Sequence, residues 1–120
     1  MTLTATVLDA PNARELADFY RRLLGWTPLD DGEHWVTLRS PAGARLSFQT
    51  EPHFVPPVWP GEPGSQLIQA HLDIAVTDLD AATDYAVAAG ARLAEFQPQE
   101  HVRVCLDPAG HPFCLYLPEE

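Results

Sequence analysis

The sequence contains no lysine. Its seven basic side chains are all arginine, set against seventeen acidic ones, for a formal net charge of −10. A basic groove for nucleic acid or a surface for anionic lipid is therefore not expected. Long apolar runs are missing as well, and none approaches the roughly 18 residues of a membrane-spanning helix. Cysteine is scarce. Cys105 and Cys114 alone do not make the disulfide framework of a small secreted domain. The opening MTLTATVLDA lacks a basic segment followed by an apolar one, so the expectation is a cytoplasmic protein with reduced thiols. Also absent are GxSxG, a P-loop, GxGxxG after a strand, CxxC and HExxH, which sets aside the chemistries those motifs carry. What remains is a chain of 120 residues, 46% apolar, large enough to bury a core without covalent staples and too apolar to be disordered as a whole.

The chain reads as one plan used twice. Residues 3–9 predict a strand and 12–24 a helix. Leu16, Phe19, Tyr20, Leu23 and Leu24 fall at the spacing of one apolar stripe. Asn12 is placed to cap this helix, with Glu15 as its capping-box partner, and Gly25 stops it. Strands are predicted near 26–30, 34–40 and 44–50, with turns at Asp31-Gly32 and Pro41-Ala42-Gly43. The second half repeats the order: a strand at 69–76, a helix at 78–89 capped by Thr77 or Asp78 and stopped by Gly90, then strands near 91–97, 101–107 and 112–118. Gly90 answers Gly25, and Pro108-Ala109-Gly110 answers Pro41-Ala42-Gly43. The organisation expected is a first module at 1–50, a connecting strap at 51–68 and a second module at 69–120.

The strap, EPHFVPPVWPGEPGSQLI, holds five prolines and two glycines, so neither helix nor central strand suits it. It also carries His53, Phe54 and Trp59. A plain linker would be polar and flexible. Aromatic residues between prolines suit a stiff segment that either seals a core or lines a pocket.

A β-α-β-β-β module used twice resembles the vicinal-oxygen-chelate superfamily: glyoxalase I, bleomycin-resistance proteins, fosfomycin-resistance enzymes and extradiol dioxygenases. ARELADFYRRLLGW resembles its first-helix signature, HLDIAVTDLDAA the start of its second module, and DPAGHPFCL its last hairpin. With the strap, these motifs look most like an actinobacterial glyoxalase-like subgroup. The resemblance implies an α+β fold in which two βαβββ modules form a half-open, mostly antiparallel barrel around a cavity, with helices outside. It also implies a homodimer. Enzymes of the superfamily hold a divalent metal with four cavity-facing side chains, usually His or Gln with Glu, two from first strands and two from last strands of modules. Carried onto this sequence, the four places hold Ala5, Ser47, His71 and Cys114. That set is poor for Mg²⁺, Mn²⁺ or Fe²⁺. Zinc would accept His71 and Cys114 but wants a third protein ligand, with Asp73, His53 and His101 as candidates that the sequence does not place. The expectation is no cofactor and no metal ligands.

Strand parity assigns the faces. The bulky residues Leu46, Phe48, Leu72, Ile74, Val76, Phe113, Leu115 and Leu117 should face the helices. Ser47, Gln49, His71, Asp73, Cys114 and Tyr116 then share the opposite face, which fits a concave pocket better than a solvated surface. A simple register across 107–112 would bring Cys105, His101 and Arg103 to the Cys114 face. Arg103 would there meet an anionic or carbonyl group. The expected ligand-binding residues are thus Ser47, Gln49, Trp59, His71, Asp73, Arg103, Cys114 and Tyr116, with Trp35, Phe54, Trp59 and Tyr116 shielding the ligand. The function expected is metal-free binding of an apolar or aromatic small molecule, as in antibiotic sequestration. A metal-dependent lyase or isomerase of the glyoxalase I type is the alternative. A metal-free isomerase or cyclase with Asp73 or His71 as general base is a third.

Overall fold

The computed structural model describes residues 1–118. Its two helices begin alike. Asn12, in extended geometry at φ −140° and ψ 109°, accepts the Glu15 N–H at 3.2 Å and opens α1, Ala13–Leu24. Asp78, at φ −143° and ψ 109°, accepts the Ala81 N–H at 3.0 Å and opens α2, Leu79–Ala89. The second cap is therefore Asp78 and not Thr77. Gly25, with φ 70°, closes α1 in the left-handed region that costs glycine least.

Around each helix stand four strands. The first set is β1 (Thr6–Ala10), β2 (Thr27–Asp31), β3 (Trp35–Arg39) and β4 (Arg45–Thr50), ordered β1-β4-β3-β2. The second is β5 (Leu72–Ala75), β6 (Arg92–Leu93), β7 (Val102–Leu106) and β8 (Pro112–Tyr116), ordered β5-β8-β7-β6. In each sheet the first strand pairs parallel with the last, and the other pairings are antiparallel. Both are open, mixed sheets of the same topology, so the α+β fold with a doubled βαβββ module holds. Contacts divide the chain between Phe54 and Val55, so the strap contributes its first residues to one unit and the remainder to the other.

The repeated Pro-Ala-Gly turns close identically. Ser40 N–H reaches Ala44 O at 2.8 Å, and Gly43 N–H reaches Ser40 O at 3.0 Å. Asp107 and His111 repeat the first bond at 2.9 Å, and Gly110 and Asp107 the second at 2.9 Å. In each turn the leading side chain accepts the N–H four residues on, through Ser40 Oγ at 2.9 Å and Asp107 Oδ1 at 2.9 Å.

Two predicted strands come out shorter. The chain before Leu72 makes no ladder, and the strand expected over 91–97 keeps only Arg92–Leu93. Past Leu93, the Gln97 side chain takes the place of a strand. Its Nε2 donates to Ala94 O at 2.8 Å and Val104 O at 2.9 Å, and its Oε1 accepts the Val104 N–H at 2.9 Å. An amide side chain that satisfies the neighbouring strand's backbone ends the pairing locally. The first strand likewise starts at Thr6 rather than residue 3.

Within the first unit, α1 buries Ala13, Leu16, Ala17, Phe19 and Tyr20 against Val36, Leu38, Leu46 and Phe48. Tyr20 stacks on Phe48 with centroids 5.5 Å apart, and Phe19 meets Tyr20 edge-on at 4.9 Å. Each such side chain, fully buried, contributes about 1.5–3 kcal/mol. In the second unit Val104, Cys105, Phe113 and Leu115 are buried, but α2 buries only Ala86.

One register expectation is overturned. Leu106 pairs with Pro112, so Cys105 lies opposite Phe113 and Arg103 opposite Leu115, while Val104 is the residue opposite Cys114. Arg103 and Cys105 therefore belong to the other face of the sheet from Cys114. A one-residue difference in register exchanges the two faces of a strand.

Candidate functional site

The face of each sheet turned away from its helix is built from the residues that alternate with the core. On the first sheet, Val7 lies opposite Ser47, Asp9 opposite Gln49, Thr37 opposite Ser47 and Trp35 opposite Gln49. The polar groups here are consumed by one another. The Thr37 and Ser47 hydroxyls are 2.8 Å apart, the Trp35 indole N–H donates to Thr37 Oγ1 at 3.1 Å, and Gln49 Nε2 donates to Asp9 Oδ1 at 2.6 Å. Ser47 is only 1% exposed. Among these residues the most exposed large side chains are apolar: Trp35 and Val7 are each 41% exposed, while Asp9 and Gln49 are half-buried.

On the second sheet the same places carry different chemistry. The Val7–Ser47 pair of the first module becomes Asp73–Cys114 in the second. His71, two residues before Asp73 and so on the same face, brings Nε2 to 3.2 Å from Asp73 Oδ1. Donor atoms of His71, Asp73 and Cys114 all lie within 4.8 Å of one another, with the first two exposed and Cys114 half-buried. Tyr116, half-buried, pairs with Ala75 and Val102 on this face.

Charge and burial set the state of the thiols. Burial pushes the Cys114 thiol up, and the Asp73 carboxylate adds to this by its charge and by accepting the thiol's hydrogen bond. Burial likewise drives Cys105 up to about 11, with a smaller push from Cys114. Asp73 thus stands between imidazole and thiol, bonded to each. A nucleophilic cysteine needs the base beside it or a lowered pKa. This arrangement holds the proton on sulfur.

The sequence-named residues fall into groups. His71, Asp73 and Cys114 converge, with Tyr116 in the same sheet face. Ser47 and Gln49 sit together on the first sheet's face, hydrogen-bonded to Thr37 and Asp9. Trp59 stacks on Phe96 at 5.7 Å. Arg103 donates to the Glu100 and Val102 carbonyls, each at 2.9 Å, from the opposite face to Cys114. Asp9 and Thr37 are the residues that sequence reasoning missed. Alternation along β1 and β3 marks both, since each shares parity with an exposed Val7 or Trp35.

The four-donor set that the fold implies for a divalent metal does not fit this chain. Ala5 has no donor atom, and Ser47 is buried with its hydroxyl engaged by Thr37. No helix among the described residues is long and apolar enough to cross a membrane.

Comparison with known proteins agrees with this architecture. A solution structure of a protein from Agrobacterium tumefaciens superposes with a TM-score of 0.72 over 100% of both chains at 22% identity. A glyoxalase/bleomycin resistance protein/dioxygenase family enzyme from Burkholderia phytofirmans gives a TM-score of 0.71, 17% identity, and coverage of 96% of this chain and 97% of that one. A glyoxalase/bleomycin resistance protein from Albidiferax ferrireducens gives 0.68 at 17% identity, covering 98% of each. At these identities the likeness is one of fold. No curated protein matches significantly by sequence. The profile of the glyoxalase-like domain matches residues 5–116, nearly the whole chain, and the protein belongs to that family.

Proposed function

We propose that this protein binds an apolar or aromatic small molecule on the face of its first sheet turned away from α1, without a divalent metal. One observation carries the reading. At the first module's share of the ligand positions, the polar atoms are closed off in the Thr37–Ser47 hydrogen bond while Trp35 and Val7 stay exposed beside them. Such a face offers contact area and few free donors, which is how aromatic ligands are held. Solved structures of this fold that carry the name bleomycin resistance protein support sequestration of an aromatic natural product as the role. A glyoxalase I-type lyase or isomerase is disfavoured by the same donor set, since Ala5 and Ser47 supply no ligand. A homodimer in the cytoplasm belongs to this reading, and the open sheet edges support pairing.

Titration against a panel of aromatic natural products, followed by tryptophan quenching, tests the proposal. Dissociation constants in the micromolar range are expected, weakened at least tenfold by Trp35→Ala. Binding no tighter than millimolar across the panel overturns it.

A further inference from the structure

We infer that Arg39 and Arg45 form an oxyanion subsite at one end of the ligand face of the first sheet, so that the molecule held there is an aromatic acid: a ring against Trp35, joined by a short chain to a carboxylate or similar group. The inference rests on the binding reading above and deepens it.

The two arginines are direct partners in the antiparallel β3–β4 ladder, beside the Pro41-Ala42-Gly43 turn. They alternate in step with Trp35, Thr37 and Ser47, so they stand on the face turned away from α1. Side chains so placed have Cβ atoms about 4.5–5.5 Å apart, and like charges there repel. Both arginines are exposed, and neither has an ion-pair or hydrogen-bond partner among the described residues. That is unexpected in a chain where seventeen acidic side chains outnumber seven basic ones. Arg14 and Arg21 do find carboxylates, in Asp31 and Asp18. Charged residues often guard an edge strand against pairing, but β3 and β4 are the two inner strands of this sheet. An uncompensated cationic pair at that place is accounted for by an anion that the pair receives.

The surroundings give the anion a place and the ligand a direction. Thr27 flanks Arg39 on the side away from Arg45 and adds an exposed hydroxyl to the row. Arg39 also lines a cavity of about 390 Å³ with Thr27, Pro28, Leu29, Ser40 and Pro41. Two guanidinium forks can each present parallel N–H donors to one oxyanion. The carboxylates on the strands of this face lie elsewhere. Asp9 stands level with Trp35 across Gln49, and Asp30 is opposite Thr37. Charge along the face thus runs from negative beside Trp35 to positive at the turn. The Trp35 indole leans toward the positive end, since its N–H donates to Thr37 Oγ1 at 3.1 Å. Thr37 and Arg39 are two residues apart, about 7 Å along an extended strand. A ring on the indole and an oxyanion at the arginines are therefore bridged by a chain of a few atoms.

Three naphthalenes of one shape test this by calorimetry at low salt: naphthylpropanoate, its primary amide and the corresponding naphthylpropylamine. The acid is expected to bind at least tenfold more tightly than the amide, and the amine more weakly than either. Arg39→Gln and Arg45→Gln should each cut the acid's affinity at least fivefold and leave the amide within twofold, which also shows that the variants fold. Arg92→Gln, which removes an equal charge from an exposed position of the second module, should leave the preference intact. Added salt should narrow the gap between acid and amide. An acid that binds no better than the amide, a preference that survives the double variant, or an equal loss in Arg92→Gln overturns the inference. Amide binding retained in those cases leaves the binding reading standing. Failure of all three probes overturns the inference as well, and the quenching panel then decides the binding reading separately.

Discussion

The two modules close their helix caps and turns with hydrogen bonds of nearly equal length, yet they differ where chemistry and packing are decided. Asn12 and Asp78 cap with matching backbone angles, and the Ser40 and Asp107 turns repeat the same two backbone bonds. The faces they present are unlike. The first module closes its polar groups upon themselves and leaves Trp35 exposed, whereas the second gathers imidazole, carboxylate and thiol. Helix packing diverges too. Phe19 is 0% exposed in α1, while Tyr85, the same distance past its N-cap in α2, is 59% exposed. Backbone conformation in this doubled fold is therefore held by short-range signals that both copies keep. The side chains beyond them are free to differ.

The packing contrast breaks most plainly under mutation. Phe19→Ala should cost about 3–5 kcal/mol, as removal of a buried aromatic does, while Tyr85→Ala should cost about 0.5 kcal/mol or less. Denaturant unfolding of the two variants measures this, and comparable losses would erase the distinction. The turns sharpen the likeness. Asp107, 1% exposed, accepts the Ala109 and His111 N–H groups at 3.0 and 2.9 Å. Asp107→Ala leaves these unmet and should cost about 1–3 kcal/mol. Ser40→Ala, which loses one such bond, should cost about 0.5–1.5 kcal/mol by the same measurement.

Smaller effects separate the two thiols. Since Asp73 raises the Cys114 pKa by its charge and hydrogen bond, Asp73→Asn should lower it and speed reaction with an aromatic disulfide several-fold near pH 8. Cys105, buried on the other face, should stay slow. Cys105 also gives a pH signature. Its pKa rises from 9.0 unfolded to about 11 folded, so the unfolded chain loses this proton first as pH increases. The associated stability is complete below about pH 9 and declines from there to about pH 11. Melting temperature followed across that interval should fall less steeply in Cys105→Ala than in wild type.

How far the sequence reached follows from the range of each interaction. Helix caps and Pro-Ala-Gly turns were legible because their bonds close within five residues. The shared parity of His71 and Asp73 was legible for the same reason. The face of Arg103 was not, because it depends on how many residues the turn after Leu106 consumes. With Leu106 paired to Pro112, Val104 meets Cys114 and its two neighbours turn away. The end of β6 was also hidden, since it depends on Gln97 reaching back to Val104. The closing of Ser47 by Thr37 required the β3–β4 register, which pattern alone does not supply.

On the proposed reading, recognition of a small molecule by this chain rests on contact area rather than on a hard-metal centre. Affinity for the tightest aromatic ligand, measured by calorimetry with and without excess chelator, tests it most directly. Dissociation constants within twofold of each other are predicted. Binding that vanishes in chelator and returns with one equivalent of divalent ion would contradict it.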